Sequence, residues 1–348
     1  MTDANEAVIP SLDIHAVSKD ILNTIERERE REIIARRFGL YDRKETLEQI
    51  GELLGITRER VRQLEKAIIE KLKIAAKTEL PHIADVEKVF VKHLHDMGRA
   101  APIKSLAASL TDDGNDRDQA HVAFLATLAP GISVVDANDH YKHSVGIAEH
   151  HDADTIRDNV NNVTSSIKEH GKPLSIASLH GKIDGYEHPS HVEAYASISK
   201  ELTNLKKMWG HIKWPEVNPK NIRDKIYVIL RDNGKPLHFS EIAKGIHGSD
   251  FKRKNVTTQA IHNELIKDAR FVLIGRGIYA LKEWGYSKGT VSDIIAEVLK
   301  ESGEPMHRDD IVKKVLDKRQ VKETTVLLNL QSKPQFERTK KATYKLAS

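Results

Sequence analysis

The sequence predicts a mainly α-helical protein built from small modules. A helix-turn-helix lies near the N-terminus, and four repeats follow, each of three helices closed by a short β-hairpin. Three observations lead there. Residues 46–65, TLEQIGELLGITRERVRQLE, carry the caps and apolar spacing of two helices joined by a tight turn. A Gly–Pro signal followed by a short amphipathic stretch recurs four times between residues 96 and 315. Aromatic residues make up only 5% of the 348, which suits several small cores better than one large one.

In the first of these stretches, Thr46 and Gln49 are spaced as a reciprocal capping box. Leu47, Ile50, Leu53 and Leu54 are expected on one helical face, and Gly55 ends the helix where a left-handed backbone costs little. Ile56 reads as an apolar plug and Thr57 as the cap of the second helix. Val61, Leu64, Ile68 and Leu72, at spacings of 3, 4 and 4, form that helix's buried stripe. Arg58, Glu59, Arg62 and Gln63 must therefore face outward. Arg and Gln with a nearby Glu are the side chains that read base edges in a major groove. A solvated face is the blander reading, but two like charges at i,i+4, Arg58 and Arg62, give it no support. Arg36, Arg37, Arg43 and Lys44 are phosphate candidates.

This stretch resembles region 4 of the sigma-70 family, the part that recognises the −35 promoter element. REREIIARRFGL (29–40) is similar to the helix and turn that precede the family's helix-turn-helix. The resemblance covers roughly residues 12–78. It implies that Arg58, Glu59 and Gln63 face bases, within a reading segment 57–66. It also implies that Arg29, Arg37, Leu47, Thr57, Arg62 and Lys73 lie at or near the DNA backbone. Lys73 stands where the family has Arg, and a second basic position falls on Ala67.

The repeats begin DMGRAAPIKSLAASL (96–110), EHGKPLSIASLHGKI (169–183), DNGKPLHFSEIAKGI (232–246) and ESGEPMHRDDIVKKV (301–315). Before each lies a helix candidate (86–96, 155–170, 221–233, 290–302), and after each lies another (117–128, 190–202, 257–268, 322–333). In the third, ARFVLIGRGIYALKEWG alternates around Gly275-Arg276-Gly277, a hairpin whose turn wants positive φ. QFERTKKATYKLA closes the fourth with Lys340 and Lys341 at its tip. MWGHIKWPEV and GISVVDANDHYKHS are the hairpin candidates of the second and first. Three helices with such a hairpin make a winged helix. The expected organisation is a helix-turn-helix at 12–80 and winged-helix-like modules at 84–150, 153–217, 219–286 and 289–348, with joints near 146–154, 215–220 and 286–290. The third module also resembles the HARE-HTH domain, found in the RNA polymerase delta subunit. That resemblance implies association with polymerase.

Charge is uneven along the chain. Residues 1–80 hold 15 basic and 16 acidic side chains, residues 81–218 hold 14 and 19, and residues 219–348 hold 26 and 16. The C-terminal third is thus the expected nonspecific nucleic-acid surface, with Arg276, Lys340 and Lys341 as its basic wings. Thirteen of the 18 histidines fall in residues 81–218 without metal-ligand spacing, and read as a solvated, weakly basic linker. TDDGNDRD (111–118) lacks the closing Glu of a calcium loop and reads as a capping turn. Trp209, Trp214 and Trp284 are expected to anchor wings. With no Cys and no nucleophile–base set, the expectation is a non-enzyme without cofactors. No apolar run approaches a membrane span and no signal segment is apparent, so a cytoplasmic, nucleoid-associated protein is expected.

The expected function is sequence-specific transcription regulation, with double-stranded DNA and RNA polymerase core or holoenzyme as partners. The alternative is a scaffold or sigma competitor that docks on the polymerase flap without reading DNA. A replication or defence protein binding duplex alone is a third reading. About ten residues precede the sigma-like stretch, so the chain is not expected to melt a promoter unaided.

Overall fold

Local capping decides where the first four helices begin and end. The structure is a computed structural model that describes residues 12–251, 253–286, 289–319 and 321–347. Helix α1 (Ile14–Asn23) starts at Asp13, whose carboxylate accepts from the backbone N–H groups of His15 and Ala16. Helix α2 (Glu28–Phe38) stops at Gly39, held at φ 79°. Helix α3 (Leu47–Leu54) begins with the Thr46–Gln49 capping box, at 2.9 and 3.2 Å, and ends at Gly55 with φ 65°. Thr57 then accepts from the Arg60 N–H to start α4 (Arg58–Ala75). Ile33, Ile50 and Val61 form a small core between α2, α3 and α4, against which Leu47, Leu54, Ile56 and Leu64 pack.

One expectation for α3 is corrected. Leu53 is 54% exposed and does not share the buried face. Residues 47, 50 and 54 make one stripe on a helix of 3.6 residues per turn, and residue 53 is rotated about 100° from residue 54. Gly51 takes up the space that matters. A Cβ there would sit 2.7 Å from the Ile56 carbonyl oxygen, so glycine lets the turn fold back onto α3.

The remaining chain repeats one order of elements four times. The first repeat is α5 (Ile83–Asp96), β1 (Ala100–Pro102), α6 (Ile103–Leu110), α7 (Asp116–Leu128), β2 (Ile132–Val135) and β3 (Ser144–Ile147). The second is α8 (Ala153–His170), β4 (Leu174–Ser175), α9 (Ile176–His180), α10 (Pro189–Ile198), β5 (Leu202–Leu205) and β6 (Met208–His211). The third is α11 (Ile222–Asn233), β7 (Leu237–His238), α12 (Phe239–His247), α13 (Thr258–Lys267), β8 (Phe271–Gly275) and β9 (Ile278–Leu281). The fourth is α14 (Val291–Ser302), β10 (Met306–His307), α15 (Arg308–Lys318), α16 (Glu323–Ser332), β11 (Phe336–Lys340) and β12 (Thr343–Leu346). In every repeat the three strands are antiparallel, and the last strand lies between the other two. The Gly–Pro signal explains this order. Gly98, Gly171, Gly234 and Gly303 all have positive φ and turn the chain out of the preceding helix. The residues that follow are extended and pair with the hairpin.

The second hairpin is not where the sequence places it. It spans 202–211, and the preceding helix stops at Ile198 rather than running to residue 202. Its turn is Lys206-Lys207, both left-handed at φ 51° and 63°. Those are values for which glycine or asparagine is the usual signal, so the pairing of β5 with β6 imposes a turn that the local residues do not advertise.

The chain divides into two compact units, one ending at Ile212 and one beginning at Lys213. In the first, the apolar faces of α1, α2 and α4 and those of the first repeat merge into one core running from Ile14 to Ile147. The boundary expected near 80–84 thus crosses a continuous core, and residues 146–154 lie inside the first unit. The joint expected at 286–290 includes residues 287 and 288, outside the described residues, as are residues 1–11, 252, 320 and 348. No helix among the described residues is long and apolar enough to cross a membrane.

The histidine-rich middle is not a solvated linker. The loop between β2 and β3 docks on the second repeat through a Tyr141–Ser199 bridge, with Lys200 N–H donating to the His140 carbonyl at 2.8 Å. Arg99 pairs with Glu187 at 2.9 Å. His150 and His151 stand in ring contact with His95 and Tyr195, respectively. Neighbouring small repeats bury their flanks together because each alone has too little core.

Candidate nucleic-acid interface

The outward face of α4 is set by the residues behind it. Val61, Ile68 and Leu72 point into the cores, which turns Arg58, Glu59, Arg62 and Gln63 to solvent. Among the described residues, Arg58 has no ion-pair partner. Glu59 is the hub of the other three: Arg62 donates two hydrogen bonds to it, at 2.6 and 2.8 Å, and the Gln63 amide donates one at 3.2 Å. The Arg62 guanidinium holds the Glu59 carboxyl down to about 2 and is itself raised in return. Glu59 also offsets the Arg58–Arg62 repulsion, so the like-charge argument drawn from sequence loses its force. What remains is an exposed polar face with its charges arranged in advance.

The residues expected at the DNA backbone divide into two groups. Several are engaged within the helix-turn-helix. Arg29 donates to the Leu54 carbonyl at 2.5 Å, at the end of α3. Arg36 bridges Glu32 and Glu45 at 2.8 and 2.7 Å, and Arg37 pairs with Glu65 at 3.0 Å while donating to the Glu45 carbonyl. Thr57 is used as a cap, and Leu47 is half-buried against the small core. Arg43, Lys44 and Lys73 are exposed, and among the described residues they have no ion-pair partner. The sequence alone did not distinguish these groups, since the partner of Arg37 lies 28 residues away.

Hairpin tips carry the other basic candidates. Arg276 sits in the β8–β9 turn beside Gly277, at φ 69°, and Lys340 and Lys341 sit at the β11–β12 turn beside Ala342, at φ 58°. All three are exposed. The exposed Lys206-Lys207 tip escaped sequence reading because its turn has no glycine. Trp209 is buried in β6, and Trp284 packs against the sheet of the third repeat. Asn115 and Asp118 cap α7, as the turn reading required. No group of three or more His, Asp or Glu residues that could hold a metal ion occurs among the described residues.

Comparison with known proteins places a family match on the helix-turn-helix. The family profile for sigma-70, region 4 matches residues 27–73. The chain is 46% identical over 56 residues to the RNA polymerase sigma factor SigA of a Bacillus species, covering 16% of this chain and 15% of that protein. It is 43% identical over 74 residues to the sigma factor RpoD of Helicobacter pylori, covering 19% and 11%. Against sigma factor sigB of Arabidopsis thaliana it is 52% identical over 46 residues, covering 13% and 8%. The chain thus spans less than a sixth of the length of these relatives.

Proposed function

We propose that the protein is a non-catalytic, DNA-binding transcription regulator that works with RNA polymerase. Its α4 would read a short −35-like duplex element through Arg58, Glu59 and Gln63. One observation carries this reading: the segment matched to sigma-70 region 4 is folded as a helix-turn-helix whose second helix presents its first turns, uncovered, to solvent. Arg bidentate to guanine and Gln to adenine are the pairings such a face supplies, and Glu59 can accept from cytosine. The four later repeats read as winged helices, the third of HARE-HTH type. Their hairpin tips would grip backbone or polymerase through Arg276, Lys340 and Lys341.

The test is selection from a duplex pool with a randomised core, followed by binding of the Arg58→Ala/Gln63→Ala variant to the selected and scrambled duplexes. Each good base contact contributes about 1–3 kcal/mol of discrimination, so the double variant should lose most of its preference while retaining nonspecific binding. A wild type that enriches no sequence, with a variant that binds equally well, would refute specific readout.

The bonds from Arg62 and Gln63 to Glu59 favour a second reading, in which this face is satisfied without DNA and the head docks on polymerase as a scaffold. Capture of core polymerase with and without duplex separates the two. Persistent capture by a protein that never protects DNA favours the scaffold.

A further inference from the structure

An open groove of about 1190 Å³ runs between the helix-turn-helix and the first repeat. One wall is built from α2, the α2–α3 turn and the outer side of α4, including Arg37, Arg43, Lys44 and Arg62. The other is α7, with Asp116 and Gln119, the start of α6, with Lys104, and the β2–β3 loop, with Asp136, Lys142 and His143. Seven Lys or Arg side chains line the groove against four acids. Four of the seven are already engaged: Arg37 by Glu65, Arg62 by Glu59, Lys66 by Glu70 and Lys142 by the Ser197 carbonyl. Arg43, Lys44 and Lys104 are exposed and, among the described residues, have no ion-pair partner. Burial lowers the proton affinity of His143 most; Asp136 raises it, and Lys44 from the facing wall lowers it by less than Asp136 raises it. The two walls belong to one body, since α2, α4 and α7 share a core.

We infer that this groove seats the sugar-phosphate backbone of duplex DNA, with Lys104 of the first repeat closing on phosphates beside Arg43 and Lys44. The inference rests on the reading of α4 as a DNA-recognition helix. Arg62 lies on α4 and also lines the groove, so a duplex seated on the first turns of that helix is led into it. The unmatched cations Arg43, Lys44 and Lys104 give the groove local positive potential, and duplex DNA supplies about one negative charge per 1.7 Å of axis. The first repeat is then part of the DNA-binding surface, and it lengthens the footprint on one flank of the recognised element.

Binding of the full-length protein is measured across 50–200 mM salt, using the selected duplex with long flanks and with each flank trimmed. Lys104 is exposed, so Lys104→Ala and Lys104→Glu should fold as the wild type does, which circular dichroism checks. Each phosphate contact contributes about −0.9 to the slope of log K against log salt. Over this fourfold salt range Lys104→Ala should therefore lose about threefold less affinity than the wild type. Its target-to-scrambled ratio should be unchanged, and its defect should vanish on the duplex trimmed at one flank. Unchanged affinity and slope in both variants would overturn the groove while leaving base reading by Arg58 and Gln63 intact. A defect that persists on both trimmed duplexes would also overturn it. So would loss of core polymerase capture by Lys104→Glu with duplex binding unmoved, which would assign the groove to an acidic protein surface. A wild type that binds no duplex at all removes both this inference and the function it rests on.

Discussion

Lowering the pH from 7.5 to 5 should loosen the packing of the helix-turn-helix on the first repeat, and His121 should account for a defined share of the effect. His121 lies on α7, only 5% exposed, with its ring 4.2 Å from that of His15 on α1. Both of its ring nitrogens are buried. Burial lowers its proton affinity most, and the charges of His15 and Arg117 push the same way. The Leu40 backbone and Asp118 oppose them, leaving a pKa of about 4 against an ordinary 6.5. The unfolded chain therefore takes up a proton below 6.5 that the folded chain refuses until about 4, and stability falls as pH drops through that window. Linkage between 6.5 and 4 gives a loss of about 2 kcal/mol at pH 5 and about 3 kcal/mol at pH 4. Asp118, 2.7 Å from His15, is held below its ordinary carboxylate value and keeps its charge at pH 5, so it does not contribute there. Burial lowers His143, His151 and His191 as well, adding losses of the same sign. The assay is native-state hydrogen exchange of the α7 amides at pH 7.5 and 5, in the wild type and in His121→Leu, with intrinsic rates corrected for pH. The drop in opening free energy between the two pH values should be about 2 kcal/mol smaller in the variant. An equal drop in both proteins would refute the assignment to His121.

Gly98→Ala should separate the first two repeats. The position is held at φ 85°, and a Cβ there would sit 2.2 Å from the Ser190 carbonyl oxygen. Left-handed strain alone costs about 1–2 kcal/mol, and the clash adds to it, so limited proteolysis should find new cleavage around residues 148–152. Lys340→Ala/Lys341→Ala should weaken binding to all duplexes equally and flatten the salt dependence by up to about 0.9 per lost contact. A change in sequence preference in that variant would count against a backbone role for the fourth hairpin.

The features legible in the sequence are those that depend on neighbours a few residues apart. Thr46 with Gln49, Thr57, Gly39 and Gly55 set helix ends through hydrogen bonds and φ values that need no distant partner. The four Gly–Pro signals similarly mark where each repeat leaves its first helix and begins its first strand. The polar face of α4 was legible because the apolar stripe behind it is regular. Tertiary structure decided what these local rules leave open. It paired Arg37 with Glu65 and Arg36 with Glu45, removing two cations from the set expected to be free, and left Arg43 and Lys44 exposed. It imposed a left-handed turn on Lys206-Lys207, where strand pairing overrides side-chain preference. It also merged the helix-turn-helix with the first repeat, because neither has enough apolar surface to bury alone. That merger brings Lys104 opposite Arg43 and Lys44 across one groove, a juxtaposition of residues some 60 positions apart that no local spacing encodes.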